Sequence, residues 1–168
     1  MFWLTNFVKI NLKTLINDKY NAILNTISES NKEEILINDF DKINYWIELA
    51  DYDLKTAKVM YKSKRYLYLG FMCNQVIEKI LKAYYVKIHQ DIPPFTHKLI
   101  KLAESCEVYE EFSDKQKDFI DFVSPLNVEA RYPTRKDELF NSLSKERCRK
   151  LLKETEEMLI WIKKKLEN

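Results

Sequence analysis

Apolar residues recur at helical spacing through most of the chain. In "NYWIELADYDLKTAKVMYKSKR" the positions Trp46, Leu49, Ala50, Leu54, Ala57 and Met60 fall at i, i+3, i+4 intervals, which predicts a helix of about six turns. "RYLYLGFMCNQVIEKILKAYYVKIHQD" reads as a second long helix, with Phe71, Ile77, Leu81, Tyr84 and Ile88 on one stripe. Gly70 inside it costs about 1 kcal/mol relative to alanine, so it is expected at a starting turn or where another helix comes close. The prolines of "IPPFTH" end this helix. Thr96 is then an N-cap for a short third helix, "HKLIKLAESC", with His97 in its first turn. Ser113 caps a fourth, "DKQKDFIDFVSPLNVEA", which Pro125 should kink or interrupt. Ser144 starts the last, "KERCRKLLKETEEMLIWIKKKL", with Leu151, Leu152, Met158, Leu159, Ile162 and Leu166 on one side and lysines at its negative end. Residues 1–28 show a weaker helical period (Phe7, Ile10, Leu12, Leu15, Ile16, Ile23, Leu24, Ile27) that "SESNKEE" breaks. The pattern predicts an all-α, up-and-down bundle of four to five helices over residues 41–168, with residues 1–40 as a helical appendage.

Composition narrows this further. Hydrophobic residues make up 46% of the 168, enough for a core, yet there is one glycine, Gly70. Hairpins, bulges and phosphate-cradling loops all depend on glycine. A sheet protein, a Walker loop and a dinucleotide fingerprint are therefore excluded. The net charge of +2 does not by itself imply nucleic acid. Cys73, Cys106 and Cys148 are odd in number and far apart, which predicts reduced thiols and neither a disulfide framework nor a zinc knuckle. No metal site and no cofactor is expected. The N-terminus lacks a basic region and a small-residue cleavage site, and no apolar run reaches membrane-spanning length. A cytoplasmic location and no membrane contact are the expectations.

Four local patterns stand in order: Trp46, Ala50, Asp53 and Leu54; then Gln75, Glu78 and Lys79; then Thr96, His97 and Leu99; then "ARYP", Ala130 to Pro133. Over roughly residues 43–166 these resemble the HEPN family of small helical domains. The resemblance implies a helical bundle, commonly a homodimer. It implies a setting beside a minimal nucleotidyltransferase, in two-component modules of the toxin–antitoxin kind. Many members of that family are metal-independent ribonucleases that use an arginine and a histidine with four to six residues between them. Such an arginine clamps the scissile phosphate through its planar fork, and the histidine moves the 2′-hydroxyl proton.

That linear pair is absent here. The chain has two histidines, His89 and His97, and the nearest upstream arginine is Arg65. Behind Arg131 the corresponding positions hold Lys136, Asp137 and Glu138. Lysine, with an ordinary pKa near 10.4, is a poor general base. Arg131 precedes Tyr132-Pro133, so a helix should end there, and its guanidinium then suits the orphan carbonyls as well as a phosphate. His97 reads first as a structural hydrogen bonder. Asn74, Gln75 and Glu78 share one face of the second helix, where a solvated stripe or polar dimer seam competes with ligand contact; Lys79 and Lys82 stand at i+4 to Gln75 and Glu78. The expected ligand-binding set is Arg131, Tyr132, His97, Asn74, Gln75 and Glu78. The expected function is a dimeric, non-catalytic module that binds a nucleotidyltransferase partner, a nucleotide, or both. The alternative is a ribonuclease acting on RNA through Arg131 and His97.

Overall fold

The computed structural model describes residues 39–129 and 143–167. The appendage expected over residues 1–40 lies outside these but for its last two residues, as do Arg131 and Tyr132. The chain divides into two compact units, Met1–Phe40 and Asp41–Asn168.

Every regular element among the described residues is helical. They are α1 (39–62), α2 (Tyr66–His89), α3 (Leu99–Ser105), a 3₁₀ turn (Tyr109–Glu111), α4 (Asp114–Val123), α5 (Leu126–Glu129) and α6 (Lys145–Glu167). The second unit is the all-α bundle that the periodicity implied.

Helix α2 is its axis. More than half of its residues are buried, including Leu69, Cys73, Val76, Ile77, Ile80 and Leu81, because other helices cover it on several sides. Side-chain contacts fix the directions. Asp53 pairs with Lys79 while Lys82, farther along α2, lies over Trp46, earlier on α1, so α1 runs antiparallel to α2. Asp51 takes Lys163 at 2.6 Å and Lys58 takes Glu156 at 2.7 Å, so α1 is also antiparallel to α6. The Lys87 ammonium donates to the Leu166 carbonyl at 2.7 Å, which ties the ends of α2 and α6 together and complements the negative end of α6. Helix α4 lies against α6, with Lys115 on Glu157 at 2.9 Å and the Arg147 guanidinium 4.5 Å over the Phe122 ring.

Several local expectations hold, each for a visible reason. Gly70 lies in the second turn of α2, where a Cβ would come within 3.1 Å of Leu126 Cδ1. It is the close-approach glycine, and α5 is what approaches. Ser113 stands at the N-cap of α4, and Gln116 Oε1 turns back to accept from its N–H at 3.0 Å and its hydroxyl at 2.8 Å. Helix α4 ends at Val123, two residues before Pro125. Ser144 Oγ accepts from the Arg147 N–H at 3.2 Å at the start of α6. All three cysteines are free and buried. Burial pushes the thiols of Cys73 and Cys106 up to about 12.

One element starts late. Helix α3 begins at Leu99, with Lys98 rather than Thr96 at its N-cap. Thr96 Oγ1 accepts instead from the Lys98 N–H at 3.2 Å, closing a local turn. His97 therefore sits in that turn, ahead of the helix.

Candidate functional site

The site grows from the middle of α2. Glu78 and Lys82 are one turn apart there, and their side chains keep only 4% and 10% of their surface exposed. A carboxylate and an ammonium withdrawn from water need compensation. Each finds it in the other at 2.8 Å. Lys82 also sits 5.0 Å over the Trp46 ring of α1, a second favourable environment for its charge.

Glu78 has a further partner. His97 Nδ1 lies 3.1 Å and 3.0 Å from its two oxygens. The carboxylate can only accept, so the imidazole donates through Nδ1, and Nε2 is the ring nitrogen left for an outside group. The His97 side chain is 57% exposed. A buried carboxylate on α2 thus fixes the tautomer and aim of a solvent-facing imidazole held in a turn. The Phe95 ring stands edge-on to it at 5.9 Å and is almost wholly exposed. An oriented imidazole beside an open aromatic face can stack on a planar heterocycle, hydrogen-bond an anion, or take and return a proton at Nε2.

Neighbouring residues serve as structure. Asn74 is fully buried. Its Nδ2 donates to the carbonyls of Val123 at 3.0 Å and Ser124 at 3.3 Å, closing the C-terminal end of α4 onto α2. Lys79 reaches across to Asp53 rather than along its own helix to Gln75. The solvated-stripe reading of this face is overturned for Asn74 and Glu78, since α1, α4 and the turn around His97 cover them. Gln75 is half-buried. The structure joins His97 to Glu78, as the sequence did not foresee. The contact of Lys82 with the Trp46 ring was also missed, whereas the Glu78–Lys82 pair follows the i, i+4 spacing. Trp46 and Asp53, seven residues apart, share one face of α1, and that spacing was a signal for both reaching the charged face of α2.

Among the described residues no group of three histidine, cysteine or carboxylate side chains is placed to hold a metal, and no helix is long and apolar enough to cross a membrane. A concavity of about 410 Å³ lies between α4 and α6, lined by Lys115, Asp118, Phe122, Arg147, Lys150 and Glu154. Its charges are mixed, and it contains none of the residues around His97.

A family model described as the HEPN domain matches residues 43–166. The crystal structure of TT1696 from Thermus thermophilus superposes with a TM-score of 0.63 at 16% sequence identity, covering 74% of this chain and 98% of that one. At that identity the likeness concerns the fold. Comparison with curated proteins gives no match.

Proposed function

The chain belongs to the HEPN domain family, and on that premise we propose that it is a helical module for binding rather than for cutting. It pairs with a second copy of itself and holds a small nucleotidyltransferase partner, a nucleotide, or both, within a two-component system of the toxin–antitoxin kind. The observation that carries this reading is the exposed imidazole of His97, aimed by the buried carboxylate of Glu78. Such a group offers a fixed polar contact, and Phe95 beside it offers a surface on which a base can stack. The sequence lacks the linear arginine–histidine pair that cleavage in this family relies on. On this reading Arg131 and Tyr132, which lie outside the described residues, would contact the ligand as well. The test is calorimetric titration with ATP and GTP, together with co-purification of a small nucleotidyltransferase encoded beside this protein. Binding of either kind is expected, weakened about tenfold by His97→Ala, the equivalent of one lost hydrogen bond. Absence of both kinds of binding from the wild type would sink the reading.

One observation favours a second reading. A carboxylate on Nδ1 with Nε2 facing outward is the arrangement that orients a histidine for proton transfer. In that case Arg131 supplies the phosphate contact, and RNA is cleaved without metal. Incubation with RNA in EDTA distinguishes the two. Intact RNA supports the binding module, whereas cleavage lost in both His97→Ala and Arg131→Ala establishes the nuclease.

A further inference from the structure

Helix α1 carries two rows of side chains that no described element covers. Tyr45, Tyr52 and Val59 are 57%, 68% and 57% exposed. They recur every seventh residue, so they form one line along the helix, about 21 Å long at 1.5 Å per residue. Beside it runs a second line at the same interval: Asp41, Glu48, Lys55 and Lys62, all exposed. The ion pairs among the described residues include none of these four. The other faces of α1 are spoken for. Ala50, Asp53 and Ala57 are buried, and Asp51 and Lys58 pair with α6.

The order of charges in the second row is what selects an occupant. The two acids come first and the two lysines last. Turn a copy of this helix end for end about an axis at right angles to it near Tyr52. Glu48 then meets Lys55 of the copy, and Asp41 meets Lys62. The same operation sets Tyr45 against Val59 and Tyr52 against itself. Both rows are thus self-complementary about nearly the same point, and each contact occurs twice, as a two-fold interface requires. A parallel pairing fails this test, because it places the charge rows of the two copies on opposite edges of the seam. Exposed aromatics flanked by matched charges are the composition of an interface.

We propose that α1 is the homodimer surface of this protein, pairing antiparallel with α1 of a second copy through Tyr45, Tyr52 and Val59, with Glu48–Lys55 and Asp41–Lys62 contacts between copies. This deepens the proposed function and rests on its claim of a dimer. The test is light scattering or sedimentation of the full chain over a concentration series at low salt. The wild type is expected to be a dimer. Lys55→Glu sets a carboxylate against Glu48 of the other copy, at two symmetric places, and weakens association about tenfold. Glu48→Lys does the same from the other side, and the two changes together restore it. Tyr52→Glu, at the axis, yields monomers. These positions are exposed, so unchanged helicity by circular dichroism separates dissociation from unfolding. A wild-type dimer indifferent to all four changes overturns this surface while leaving the dimer claim intact. A monomeric wild type overturns both.

Discussion

At the scale of single residues, the core of the molecule is polar where its chemistry lies. Glu78 is held by Lys82 and by His97, both within hydrogen-bond distance. Removing it leaves the Lys82 ammonium buried without its anion. Glu78→Ala is expected to cost about 3 kcal/mol in chemical denaturation, and Lys82→Met in the same background should recover most of that, since the stranded charge is then gone. His97→Ala removes a largely exposed ring and should cost well under about 1 kcal/mol, so its effect on ligand binding can be read without unfolding. The thiols give a pH prediction. Burial pushes Cys73 and Cys106 up to about 12 from an ordinary 9.0. Below the ordinary value both states are protonated and stability is unaffected. Above it the unfolded chain releases protons that the folded chain keeps, so stability falls as pH rises from 9.0 toward about 12. Denaturation at about pH 8 and about pH 10.5 should show the loss, and Cys73→Ala should lessen it. All three thiols should resist iodoacetamide until the protein unfolds.

At the scale of elements, helix ends and one close contact set the packing. Ser113 and Gln116 bond to each other at the start of α4. Gln116→Ala should cost about 1 kcal/mol, measured as a shift in denaturation midpoint at unchanged slope. Gly70 is a sharper probe. Alanine there gains about 1 kcal/mol of helix propensity, but its Cβ would come within 3.1 Å of Leu126 Cδ1. The far end of a leucine can give by a few tenths of an ångström, so Gly70→Ala should stay within about 0.5 kcal/mol of the wild type. Gly70→Val, with branches that must displace α5, should cost about 2 kcal/mol or more.

At the scale of the whole molecule, one long buried helix organises everything else. Helix α2 carries the carboxylate that aims His97, the lysine that meets Asp53, and the asparagine that closes α4. A ligand at His97 therefore bears, through Glu78, on the buried helix that the others pack around. Binding there should raise the melting temperature according to mass action, by about 2.7 kcal/mol of stability at a ligand concentration a hundred times its Kd. Thermal unfolding with and without nucleotide checks this. The stabilisation should shrink in the His97→Ala variant.

The sequence by itself determined the class of fold. Helical period, a single glycine and two prolines after Ile92 leave little besides a helical bundle, since these are local properties of the chain. The caps at Ser113 and Ser144, the break at Pro125 and the pairing of Glu78 with Lys82 were legible for the same reason: each partner lies within one turn. The late start of α3 was not, because Thr96 had two local turns to choose from and the packing around His97 chose. Nor was the site. His97 and Glu78 are nineteen residues apart, and Asp53 and Lys79 twenty-six, with no spacing rule linking either pair. Only the folded chain decides which polar groups are taken out of water together, because the cost of burying a charge is settled by whatever the other helices bring beside it.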